Sequence, residues 1–128
     1  MNSMIPAAVI AATLGFAPSA VSSTAQVFDR DSELLAEGHF DAGDDSFTVT
    51  KHVAGGGRAY LEYRYVREDG TLQTGTHSTG GAAGETARFS HDFTAGRTVT
   101  FRVCVAGERG FNACSAGDDG ENWTIGIA

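Results

Sequence analysis

The chain reads as an all-β protein, an antiparallel β-sandwich of about seven to eight short strands, immunoglobulin- or fibronectin-like in size. Three observations predict this. Apolar residues recur at every second position over several segments, the period of a strand buried on one face. Clusters of Gly, Asp and Ser separate those segments at regular spacing, as turns do. The clearest alternation sets Val99, Phe101, Val103 and Val105 against Thr98, Thr100, Arg102 and Cys104, and a turn and a second cysteine follow it.

Residues Met1 to Ala25 read as a secretory signal peptide. Ile5 to Ala20 is small and apolar, broken by Pro6 and Pro18, and shorter than the roughly 20 residues of a membrane-spanning helix. Ser23-Thr24-Ala25 puts small residues at the −3 and −1 positions, so cleavage is expected before Gln26. Ala17-Pro18-Ser19 is a second candidate. No Lys or Arg precedes Arg30, so the usual basic start of a leader is missing. The expected organisation is a leader over 1–25 and one secreted domain over 26–128.

Gln26 to Glu33 is polar and acidic and is expected to be an extended lead-in. Leu34 to Phe40 forms a strand with Leu34, Ala36 and Phe40 inward, and Asp41 to Asp45 turns the chain. Ser46 to Val53 follows, with Phe47 and Val49 inward and Thr48 and Thr50 outward. After the break at Gly55-Gly56-Gly57, Arg58 to Arg67 sets Ala59, Leu61, Tyr63 and Tyr65 on one face and Tyr60, Glu62 and Arg64 on the other. Glu68-Asp69-Gly70 signals a hairpin whose return strand is Thr71 to His77. Ser78 to Gly84 is small and Gly-rich and reads as a flexible loop. Glu85 to Phe93 brings Ala87, Phe89 and Phe93 inward. The Thr98 to Val105 strand then turns through Gly107–Gly110 and returns over Phe111 to Ser115. Asn122 to Ile127 closes the chain, with Trp123, Ile125 and Ile127 on one face, expected to be the core face.

Cys104 and Cys114 are the two cysteines, and in an exported chain they favour a disulfide. Cys104 shares a face with Thr100 and Arg102, so the bond is expected across two strands near the outer surface. A loop this short closed covalently contributes roughly 2.5–3 kcal/mol by the chain-entropy estimate. Charge narrows the partners. The formal net charge is −7, every charged residue lies at or after Asp29, and Lys51 is the one lysine among nine basic residues. So acidic a domain repels phosphate, which argues against nucleic acid and anionic membrane and leaves cationic proteins or neutral glycans.

With these features in place, the layout resembles a group of small secreted β-sandwich proteins of Streptomyces and related actinobacteria, hypothetical secreted proteins without an assigned activity. The shared features are a signal peptide, a Tyr/Arg-rich strand ending in Asp-Gly (here Tyr60 to Gly70), and a late strand, Phe101-Arg102-Val103-Cys104-Val105, paired with Ala113-Cys114-Ser115. The likeness spans Ser46 to Trp123. It implies a secreted β-sandwich and carries no catalytic residue across.

Reactive constellations are weak. His39, His52, His77 and His91 lie far apart along the chain, and no metal or other cofactor is expected from their spacing. The acidic clusters Asp29-x-Asp31-x-Glu33, Asp41 to Asp45 and Asp118 to Glu121 miss the calcium-loop pattern. Gly-x-Ser-x-Gly does not occur, and His77-Ser78 and His91-Asp92 are adjacent pairs without a triad, so a hydrolase is the least favoured reading. The sequence leads instead to a monomeric, secreted, non-catalytic module that binds an extracellular protein or glycan through Tyr60, Glu62 and Arg64. The alternative is an enzyme inhibitor presenting the 107–111 turn, with Arg109 or Phe111 entering a pocket on its target.

Overall fold

Alternation becomes strand wherever a turn is close enough to bring a partner alongside. The computed structural model describes residues 19–54, 57–107, 112–117 and 123–128. Among these residues there are nine strands and no helix: β1 (Ser23–Phe28), β2 (Leu34–Asp41), β3 (Ser46–Lys51), β4 (Ala59–Val66), β5 (Leu72–Ser78), β6 (Thr86–Ser90), β7 (Thr98–Ala106), β8 (Asn112–Cys114) and β9 (Thr124–Ile127). All pairings are antiparallel. One sheet runs β1-β2-β3-β6. The other runs β5-β4-β7, and both short last strands pair with β7, β9 along Thr98–Phe101 and β8 along Cys104–Ala106.

The two sheets pack face to face, as in a sandwich. Ala25, Val27, Ala36, Phe40, Phe47 and Val49 from the first sheet meet Ala59, Leu61, Tyr63, Tyr65, Val99, Phe101, Val103 and Val105 from the second. Phe47 sits at the middle, with ring centroids of Phe40, Tyr63 and Phe101 at 5.2, 5.3 and 5.6 Å. Where β2 crosses Leu61 and Val103, Gly38 leaves no side chain, and any Cβ there would collide with Val103.

The sandwich is closed differently on its two lateral sides. On one side, Val21 and Ile127 exchange both backbone hydrogen bonds, at 2.9 and 3.0 Å, and Ser23 Oγ donates to the Ile125 carbonyl. On the other side, edge strands β5 and β6 belong to different sheets, and side chains bridge the gap: the His77 ring lies flat on Phe89 at 4.1 Å.

Three expectations are corrected here. The polar lead-in is a strand over its first part: Gln26–Phe28 belong to β1, which starts at Ser23 and pairs with β2 from Ser23↔Phe40 onward. Its alternation is legible only when Ser23 to Ala25 are read together with Val27. The last strand has the opposite parity to that expected. Trp123, Ile125 and Ile127 do share a face, but it is the outer one, and Thr124, Gly126 and Ala128 point inward. Packing decides this, because a Cβ on Gly126 would sit 2.6 Å from the Phe40 ring, and only glycine fits that approach. The Gly-rich segment after β5 is pinned rather than loose. Lys51, fully buried at the inner end of β3, donates its ammonium to the Gly81 carbonyl at 2.8 Å, and the Gly80 N–H donates to the Glu85 carboxylate at 2.6 Å.

Candidate site on the outer face of the five-stranded sheet

Strand parity puts Tyr60, Glu62 and Arg64 of β4 on the outer face of the five-stranded sheet. β4 lies between β5 and β7, so Glu62 stands opposite Thr76 on one side and Arg102 on the other. Arg64 stands opposite Thr74 and Thr100. The residues grouped by sequence alternation are therefore adjacent in space.

Two further residues complete the surface. Arg102 donates from both Nε and Nη2 to Glu62 Oε1, each at 2.7 Å. Trp123, arriving just before β9, lies over the Arg64 guanidinium at 3.7 Å from its ring centroid and beside Arg102 at 4.9 Å. A cation held against an indole face is favoured by the ring quadrupole, more so as water is displaced. Glu62, Arg64, Thr74, Thr76, Arg102 and Trp123 line a groove of about 240 Å³. Trp123 was expected in the core, and nothing in the spacing of the last strand alone reveals that it caps two arginines from β4 and β7.

The covalent clasp borders this face. Cys104 and Cys114 are bonded and directly opposed across β7 and β8, and Tyr60 is the β4 partner of Cys104. Cys104 carries the parity of the outer face, as expected, yet is fully buried. Arg109 and Phe111 lie outside the described residues.

The remaining candidates separate clearly. His77 and His91 converge, with Nε2 atoms 2.7 Å apart, although they are fourteen positions apart in the chain. Burial lowers both pKa values; His91 lowers that of His77 further, whereas Asp45 partly restores that of His91. Ser78, the hydrolase candidate beside His77, pairs with Tyr60 and faces the other way. His52 pairs with Glu37 at 2.9 Å and His39 Nδ1 with Thr24 Oγ1 at 2.8 Å.

The acidic clusters at Asp29 to Glu33 and Asp41 to Asp45 serve turns, as does Asp69, whereas the cluster at 118–121 lies outside the described residues. Asp29 Oδ1 accepts from the Asp31 and Glu33 amides, Asp41 Oδ1 from the Gly43 amide, and Asp69 Oδ1 from the amide and hydroxyl of Thr71. Hydrogen bonds from Thr71 hold the Asp69 carboxyl below its usual pKa, and the Ser46 hydroxyl does the same for Asp44. Among the described residues, no three His, Cys, Asp or Glu side chains gather into a metal-sized cluster.

A larger cavity, about 430 Å³, lies at the β4–β5 hairpin end between Tyr65, Arg67, Gln73, Asp92 and Thr94. Several of its polar groups are engaged by the fold itself: Arg67 donates to Thr71, Gln73 to the Tyr63 hydroxyl, and the Thr94 amide to the Tyr65 hydroxyl. The Trp123 groove is the better candidate. No family model matches the chain, and neither a curated protein nor a solved structure does.

Proposed function

We propose that the protein is a secreted, non-catalytic β-sandwich that binds a glycan outside the cell through the Trp123 groove. The observation that carries this reading is the stack of Trp123 on Arg64 and Arg102 beside Glu62 and two threonine hydroxyls. Sugar rings present an apolar face and a rim of hydroxyls. An aromatic plane next to fixed donors and acceptors suits both. The arginines are held by the indole and by Glu62 before any ligand arrives, which lowers the ordering cost of binding. The disulfide accords with an extracellular domain. No helix among the described residues is long and apolar enough to cross a membrane.

A glycan array followed by calorimetry tests it. Trp123→Ala or Arg64→Ala should weaken binding at least tenfold without lowering the melting temperature by more than a few degrees, and Tyr60→Ala should have a smaller effect. No binding to any arrayed glycan overturns the glycan reading and leaves a protein partner for the same face. The inhibitor alternative depends on Arg109 and Phe111, which lie between the two bonded cysteines in the sequence.

A further inference from the structure

The proposed export requires a leader to be removed, and the fold bears on where. We infer that the leader is cut at the Ser19–Ala20 bond rather than at Ala25–Gln26, so that the exported domain keeps the whole of β1. This rests on the secretion reading above.

Residues 21–25 are part of the folded domain. Val21 is hydrogen-bonded twice to Ile127. The Ser22 hydroxyl accepts from the Ala42 amide at 2.9 Å, and Ser23 Oγ donates to the Ile125 carbonyl. Ser23, Thr24 and Ala25 pair with Phe40, His39 and Gly38, and the Ala25 side chain is 2% exposed in the core. Cutting before Gln26 would remove half of an edge strand and the backbone link between the two sheets on that side. It would also bare the outer backbone edge of β2 from Gly38 to Phe40, an unpaired edge that invites aggregation.

Ser19 and Ala20, in contrast, are exposed and precede the first backbone pairing. Ala17 and Ser19 put small residues at −3 and −1 of this bond, as a leader peptidase requires. Water adds across the Ser19–Ala20 amide, leaving the new carboxylate on Ser19 and the new α-amino group on Ala20. That bond stays accessible before and after folding. The Ala25–Gln26 bond, inside a paired strand, is accessible only before.

The test is secretion of the full chain, with a C-terminal tag, from a secreting bacterial host, and N-terminal sequencing of the product in the medium. The expected terminus is Ala-Val-Ser-Ser-Thr, and Ser19→Phe should block processing. A terminus of Gln-Val-Phe-Asp-Arg, any other terminus, or normal processing of Ser19→Phe overturns the inference while leaving secretion intact. A chain that never leaves the cell overturns both. As a second measurement, chains starting at Ala20 and at Gln26 are exported behind an unrelated leader. The shorter should lose its cooperative melt or melt more than about 10 °C lower, and equal melting temperatures would overturn the inference.

Discussion

Across the seam between β5 and β6, His77 and His91 are 2.7 Å apart at their Nε2 atoms, so one ring donates the proton that the other accepts. Two imidazolium rings could not keep that contact. The pair is held by Phe89 stacked on His77 and Phe93 stacked on His91, with interplanar angles of 6° and 7°. It closes the side of the sandwich where no backbone bridge between the sheets is seen among the described residues.

The pair makes stability pH-dependent. Both histidines titrate below their ordinary value of 6.5 in the folded chain, so the unfolded chain takes up protons first as the pH falls. Stability is full above about pH 6.5, declines as the pH drops toward the folded-state values, and levels off below them. Urea midpoints from pH 8 to pH 4.5 should show this decline, and His77→Phe with His91→Phe should flatten the part of it below 6.5. The carboxylates stabilised by Thr71 and Ser46, Asp69 and Asp44, add a further loss only nearer pH 4. An unchanged profile in the double variant would show that the pair contributes nothing.

The approach of Gly126 to Phe40 gives a sharper steric test. Gly126→Ala puts a methyl 2.6 Å from the ring of a fully buried phenylalanine and 3.2 Å from the Val21 carbonyl. Overpacking of this kind costs about 1–3 kcal/mol. Guanidinium unfolding should show it, and Phe40→Ala combined with Gly126→Ala should cost less than the sum of the two single changes.

Lys51 is a polar end on a buried stem. Lys51→Met keeps the stem and leaves the Gly81 carbonyl without the 2.8 Å bond from the ammonium, a loss of about 1–3 kcal/mol. Amide exchange should rise around Gly80 to Glu85, the segment that Lys51 and Glu85 hold down. Protection unchanged there would mean that the backbone bonds of Lys51 with Gly84 and Glu85 suffice.

Reduction of Cys104–Cys114 releases a loop of sequence separation 10. The entropy lost from the unfolded chain by so short a loop corresponds to about 2.5–3 kcal/mol. Melting with and without a thiol reductant should show a fall of that order, matched by Cys104→Ala with Cys114→Ala. Because the clasp joins neighbouring strands of one sheet, β1 to β6 should keep their order of local stability in hydrogen exchange.

Much of the fold was legible in local pattern. The faces of β4 and β7 followed from alternation alone, and with them the inward Tyr63 and Tyr65 and the outward Tyr60, Glu62 and Arg64. The disulfide followed from there being two cysteines in a chain read as exported, and its place across two strands from the parity of Cys104. Legibility failed where one pattern admits two uses. Ser23 to Ala25 suit both the end of a leader and an edge strand. Trp123, Ile125 and Ile127 alternate in the same way whether their face is buried or exposed, and Gly126, featureless in sequence, decides between the two. His77 and His91 meet only because β5 and β6 are edges of different sheets on the same side.

By itself, then, the sequence determined the class of fold, the parity of its strongest strands and the pairing of its cysteines, since all three depend on residues close along the chain. Only the tertiary structure decided which face of β9 is buried, that Trp123 caps Arg64 and Arg102, and that two histidines close one side of the sandwich. Those outcomes depend on which distant strands become neighbours, and period-2 alternation carries no information about that choice.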